Sequence, residues 1–290
     1  LFGMRWEGRR QSDQVEDRRG QNGGGGRVVG GGLGMLVLVL VVWLLGGDPM
    51  PLLQDMAQQG GTQMSTGGTN RPRSAEEEQA VRFVSVVLAD TEEIWTEAFQ
   101  KMGRQYEKPK LILFRGQVVS GCGQASAAMG PFYCPADKSI YMDLSFFEQM
   151  RDELGASGDF AHAYVIAHEV GHHVQKLLGV SDQVNQSRGR LSQEDYNRLS
   201  VRLELQADFY AGLWAKHGQE KFGFLEEGDL EEALQAALAI GDDTLQRKAQ
   251  GRVVPEAFTH GTSAQRARWF KKGYETGDIR QGDTFRASSL

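Results

Sequence analysis

The chain has 290 residues, 40% hydrophobic and 24% charged, with a net charge of −6 and 37 glycines. That length allows one or two globular domains, and an acidic balance with no basic stripe of interleaved aromatics excludes a nucleic-acid binder. Many of the glycines fall in the first 70 residues, so these averages describe two unlike regions.

Residues 1–27 are polar and Gly-rich, and their low hydrophobicity predicts a disordered tail. Met4 is a candidate start, with Leu1-Phe2-Gly3 a remnant ahead of it. Residues 28–47 carry no charge and centre on an apolar run from Met35 to Leu45. About 20 such residues suffice to cross a ~30 Å hydrocarbon core, so a single transmembrane helix is expected here. Arg5, Arg9, Arg10, Arg18, Arg19 and Arg27 precede it, and no Lys or Arg follows until Arg71. The positive-inside rule then predicts a cytoplasmic N-terminus and an extracytoplasmic catalytic domain, anchored to the cell membrane by a single pass. Residues 48–73, a Gly/Gln/Thr/Met/Pro stretch without periodicity, read as a flexible linker.

Residues 74–278 read as the folded domain and 279–290 as a C-terminal tail. Ser74, followed by Glu76-Glu77-Glu78, opens a helix that Gly103 ends. Lys110 to Val119 has the character of one strand, and Phe132-Tyr133 and Ser139–Asp143 suggest two more. The last of these, just upstream of the helix described next, is a candidate sheet edge for holding an extended peptide. Cys122 and Cys134 bracket the intervening loop. Two cysteines in a segment expected outside the cytoplasm imply one disulfide. A short helix over Phe146–Leu154 follows, then a Gly-rich break.

From Asp159, a candidate N-cap, to Gly179, a candidate stop, apolar residues at three- and four-residue spacings predict a buried amphipathic helix. It carries His168-Glu169-Val170-Gly171-His172. Residues four apart lie on one helical face, so both imidazoles can reach one Zn²⁺, with Glu169 placed beside the metal to take a proton from water. After a polar loop, Ser181–Gly189, a second long helix runs from about Ser192 to His217. A catalytic zinc usually takes three protein ligands. Glu204, four residues before Asp208 on an apolar part of this helix, supplies the missing one, and Asp208 is placed to orient a ligating histidine. His162, His173 and His217 fall on other faces or at a helix end and are not expected to ligate. Leu230–Lys248 reads as a supporting helix and Ser263–Tyr274 as the last.

His168-Glu-x-x-His172 followed by Glu204-x-x-x-Asp208 resembles the gluzincin branch of the zincin metallopeptidases. With Ser120-Gly-Cys-Gly123, Phe132-Tyr-Cys-Pro135 and Thr259-His260-Gly261, the chain from about Gly30 to Asp278 resembles the bacterial "putative neutral zinc metallopeptidase" family. The resemblance implies a zincin-like domain after an N-terminal membrane segment. It also implies zinc at His168, His172 and Glu204, Glu169 as catalytic base, and protein or peptide substrates. Thr259-His260-Gly261 to Arg266 is similar to the T-H-P-x-x-x-x-R segment of related membrane-associated gluzincins, with Gly261 in place of proline. His260, as a catalytic residue, or Arg266 is a candidate to hydrogen-bond an oxyanion or a substrate carbonyl. The opposing reading gives Thr259 or Thr262 the plain task of opening the last helix.

The fold class expected is therefore α+β, a small sheet followed by mostly helical structure with the metal between two long helices. The function expected is membrane-anchored zinc-dependent peptide hydrolysis. The competing expectation is a tethered zincin-fold binding or scaffold protein without proteolytic activity.

Overall fold

The computed structural model describes residues 3–20 and 73–290. Within these residues the fold is α+β, with eight α-helices set around a four-stranded sheet and a separate two-stranded hairpin. The first helix, α1 (Ala75–Lys101), opens as its acidic start predicts. Ser74 accepts from the Glu77 amide at 3.1 Å while the Glu77 carboxylate accepts from the Ser74 amide at 3.0 Å, a reciprocal cap. Its apolar side, including Phe83, Val87, Leu88, Trp95 and Phe99, lies in the main core.

The sheet contains β1 (Val15–Asp17), β2 (Lys110–Phe114), β5 (Phe132–Cys134) and β6 (Ser139–Asp143), in the order β1-β2-β6-β5. β1, β2 and β6 run parallel, and β5 is antiparallel to β6, with Phe132 opposite Tyr141. The apolar run Lys110–Val119 is not one strand. It breaks at Arg115-Gly116, where the Gly116 amide donates to Asp143 at 2.8 Å. The rest becomes β3 (Gln117–Ser120), paired with β4 (Gly123–Ser126) as a hairpin outside the main sheet. β6 is not the expected edge either. All five of its residues are buried and it is paired on both sides, so the edge nearest the helical layer is β5. The Cys122–Cys134 disulfide forms as expected and ties the β3–β4 hairpin to β5. By the chain-entropy model a closed loop of this length contributes about 3 kcal/mol.

Residues 3–20 depart from the expected disordered tail. Met4 and Trp6 are buried in the core, with Trp6 edge-on to Phe83 at 5.5 Å between centroids, and the Arg5 amide donates to Phe224 O at 2.8 Å. Val15, Glu16 and Asp17 extend the sheet alongside Leu111–Leu113. Composition misled here because two apolar anchors and a three-residue strand are too sparse to raise mean hydropathy. Residues 21–27, the expected transmembrane segment 28–47 and the linker up to residue 72 lie outside the described residues. No helix among the described residues is long and apolar enough to cross a membrane.

The helical layer follows β6 as α2 (Ser145–Asp152), α3 (Asp159–Leu178), α4 (Val180–Gln186), α5 (Gln193–Phe222), α6 (Asp229–Ala239), α7 (Asp242–Gln250) and α8 (Ser263–Thr276). The polar stretch after Gly179 is thus a helix rather than a loop, and the single helix expected over 230–248 is two. α5 and α8 cross at backbone contact. A Cβ on Gly212 would lie 2.0 Å from Phe270 O, and one on Gly273 2.1 Å from Phe209 O, so only two glycines permit this approach. The expected tail is part of the domain as well. Thr284 is fully buried and donates to Arg202 O at 2.6 Å, and Arg202 donates back to Thr284 O.

Candidate metal centre and active site

α3 is fixed at its start by a neighbour rather than by its own N-cap. Asp159 is the first helical residue, and Glu232 of α6 reaches across to accept from the Phe160 amide at 3.1 Å. At the other end Gly179 turns left-handed (φ 82°) and stops the helix. In between, His168 and His172 stand one turn apart on one face, with Glu169 beside them.

The middle of α3 lies against α5 because position 171 has no side chain. A Cβ there would sit 3.0 Å from Ala207 O and 3.1 Å from its Cα. That close approach brings Glu204 and Asp208, one turn apart and flanking the contact at Ala207, to the two imidazoles. His168 Nε2 and His172 Nε2 are 3.1 Å apart, and each lies 3.3 Å from a Glu204 oxygen. Tetrahedral bonds of ~2.0–2.1 Å place zinc ligand atoms about 3.3–3.4 Å from one another, so three donors already stand close to the corners of a zinc coordination shell. They are the one His/Cys/Asp/Glu group of this kind among the described residues.

The charge balance of the site also favours a cation. Burial alone would raise the Glu204 pKa, but the positive field of His172 and His260 outweighs it and holds the carboxyl well below its ordinary range. Burial alone would lower the His172 pKa, yet Glu204 dominates and the value is pushed up to about 9. His168 is raised likewise, against burial, by Asp208 and Glu204. A site that draws positive charge onto two adjacent imidazoles suits a divalent cation shared by both.

Behind the ligands lie the groups that orient them. Asp208, fully buried, accepts from His168 Nδ1 at 2.8 Å and from the Tyr164 hydroxyl at 2.5 Å. Arg266, on α8, donates from Nε to Asp208 Oδ2 at 2.9 Å and from Nη2 to Oδ1 at 3.0 Å. Its Nη2 is also 3.2 Å from the Tyr164 hydroxyl. Arg266 is therefore not placed to bind an oxyanion. Its guanidinium is buried behind His168 and spent on Asp208. Burial alone would raise the Asp208 pKa, but Arg266 and His168 hold it far below the usual carboxylate range.

The partner of His172 was not anticipated from the sequence. His172 Nδ1 donates to Gln175 Oε1 at 2.9 Å, and Gln175 Nε2 donates to Leu203 O at 2.6 Å and to Gln206 Oε1 at 3.1 Å. Gln175 thus fixes the tautomer of one ligand and clasps the turn that bears Glu204. The i, i+3 spacing from His172 to Gln175 was a usable signal. Gln175→Ala is expected to weaken zinc binding roughly 10–100-fold with the fold intact. A zinc titration against a competing chelator checks this, and an unchanged dissociation constant would remove Gln175 from the site.

Glu169 is 8% exposed. Burial raises its pKa, and the Glu204 charge adds to that, while the two histidines oppose it. His260 sits on the loop between α7 and α8. The Asp242 carboxylate accepts from the His260 amide at 2.6 Å and lies 3.2 Å from its Nδ1. Burial alone would lower the His260 pKa, but Glu204 and Asp242 together raise it. It therefore belongs to the electrostatic surroundings of Glu204. Thr262 opens α8 with a reciprocal Gln265 cap, so the plain reading of that threonine also holds. His173 points away from the metal ligands. It donates to Glu107 O at 2.6 Å, accepts from the Tyr133 hydroxyl at 3.0 Å, and so fastens edge strand β5 to α3.

Two imidazoles one turn apart, a carboxylate from a facing helix and a buried carboxylate beside them are of the types and spacing that a hydrolytic zinc centre uses as ligands and base. The chain belongs to the "Putative neutral zinc metallopeptidase" family, whose model matches residues 4–285. It is 53% identical over 292 residues to "Uncharacterized protein YpfJ" of Escherichia coli, covering 97% of this chain and 99% of that protein. It is 44% identical over 221 residues to "Uncharacterized protein Rv2575" of Mycobacterium tuberculosis, covering 73% of this chain and 74% of that one. No solved structure matches it.

Proposed function

We propose that this protein is a zinc-dependent peptidase that hydrolyses peptide bonds with Glu169 as the general base. The observation that carries the reading is the convergence of His168, His172 and Glu204 at zinc-ligand spacing with Glu169 on the same turn. Zinc held there supplies Lewis acidity, polarising a carbonyl and lowering the pKa of a water towards ~7.

The protein's own groups do the rest. Glu169, its proton affinity raised by burial, takes the proton of the attacking water and delivers it to the departing amine. Asp208 and Gln175 hold the two imidazoles with their Nε2 atoms forward. His260, its proton affinity raised against burial by Glu204 and Asp242, is the group suited to donate to the carbonyl oxygen as negative charge develops on it. The free side of β5 is the natural place for an extended peptide to pair, next to α3 and tied to it through Tyr133 and His173. The Cys122–Cys134 bridge supports placement of the domain in an oxidising compartment outside the cytoplasm, and residues 28–47 are the proposed means of membrane attachment.

Purified protein loaded with one zinc per chain should cleave an unfolded protein substrate, stop on chelation and recover on re-addition of zinc. Stoichiometric zinc with no cleavage of any peptide library would favour the binding-protein reading instead.

A further inference from the structure

The two described ends that flank residues 21–72 meet at one carboxylate. Arg19, buried, reaches Asp17 at 2.8 Å and Glu78 at 2.9 Å, and Arg73 lies 3.3 Å from the same Asp17 carboxylate. Everything described before that point is docked. Met4 and Trp6 sit in the core, and β1 pairs with β2. Of the six arginines that the positive-inside rule would count, the five among the described residues are engaged by carboxylates, and Arg27 lies outside the described residues. Arg5 faces Glu226 at 3.7 Å, Arg9 meets Asp90 at 2.6 Å, and Arg10 meets Glu92 at 3.1 Å. Arg18 pairs with Glu16 at 2.7 Å. The side chain of Glu92 is wholly buried and also bonds Ser12 and Lys108. These five positive charges are therefore accounted for by ion pairs within the fold, without any call on membrane orientation.

We propose that residues 3–20 and the metal-binding domain reside on the same side of the membrane, so that attachment through the apolar stretch 28–47 does not carry the N-terminus across. Twenty apolar residues make one crossing of a ~30 Å core. A return crossing would fall to residues 48–72, and in hydrocarbon every backbone polar group must be paired within a helix or a closed barrel. That Gly-, Gln- and Pro-containing stretch has no apolar run long enough to do so. Placing the N-terminus on the far side would instead undock it, exposing Met4 and Trp6, breaking the β1–β2 ladder and leaving Asp90 and Glu92 without their arginines. With the disulfide favouring an oxidising compartment, the shared side is the extracytoplasmic one. The inference does not depend on the catalytic reading.

The test uses the full chain in Escherichia coli with the outer membrane opened. Gln11→Cys and Gln186→Cys, both at exposed positions, are made singly and probed with a membrane-impermeant maleimide before and after the inner membrane is permeabilised. The expected result is that the two cysteines label alike in each sample. Labelling of one with protection of the other until the inner membrane is opened would overturn the proposal. Trp6→Ala is the second arm. If the segment is docked, the Tm of the full chain falls by roughly 6 °C or more, and an unchanged Tm would equally overturn it. Repeating the labelling in a Glu169→Gln background keeps the outcome separate from that of the peptidase reading.

Discussion

Glu169→Gln is expected to bind one zinc per chain with near-normal affinity and to lose peptide hydrolysis by roughly 10²–10⁴-fold, the range of general-base contributions. The substitution keeps the size and shape of the side chain, and Glu169 is not among the three donors at ligand spacing. What it removes is the ability to accept a proton. Burial and the nearby Glu204 charge raise the affinity of Glu169 for that proton, which brings the carboxylate closer to the needs of the reaction than an exposed glutamate would be. Measuring zinc stoichiometry and kcat/KM on the same preparation separates the roles. A variant retaining more than about a tenth of the activity would show that proton transfer runs through another group.

Arg266→Met should cost stability out of proportion to one side chain, about 3–5 kcal/mol, because it leaves Asp208 as an uncompensated buried charge. Asp208 then has two ways to relieve its burial, protonation or a stronger hold on His168, and either alters how His168 presents Nε2 to the metal. Zinc affinity should fall together with stability. Asp208→Asn in the Arg266→Met background removes the orphaned charge and should recover part of the stability, while the His168 Nδ1 partner remains weaker than a carboxylate and zinc affinity stays reduced. Urea denaturation and zinc titration of the single and double variants resolve these terms. A loss below about 1 kcal/mol in the single variant would mean that Asp208 is not sustained by Arg266.

The candidate metal cluster of this chain was legible because it is written at helical spacings. His168, Glu169 and His172 fall within two turns, and Glu204 and Asp208 repeat the four-residue interval on a helix with capped ends, so the metal centre could be assembled from two local patterns. The α+β class and the Cys122–Cys134 bridge followed from similarly local signals. What escaped were features set by contacts distant in sequence. Whether Arg266 faces substrate or supports Asp208 depends on where α8 crosses α5, which the close approaches at Gly212 and Gly273 decide and no periodicity reveals. The position of β6 inside the sheet depends on β5 pairing beyond it. β1 is three residues long, and its pairing with β2 spans more than ninety positions. The partners of the arginines beside it were hidden for the same reason, since nothing local marks Asp90 and Glu92 as lying opposite Arg9 and Arg10.

The last dozen residues show how far the site extends from its ligands. Gln206, which accepts from Gln175, donates in turn to Gly282 O at 2.9 Å. Gly282 packs so tightly on the Phe209 ring that a Cβ there would come within 2.5 Å of it. His172 is thus linked by three successive hydrogen bonds to backbone that looks, in sequence, like expendable polar terminus. A fragment trimmed after Asp278 would keep every residue of the motif and lose the brace at the far end of that relay. The folded unit that holds the candidate site is accordingly larger than the span its signature residues enclose, at both termini.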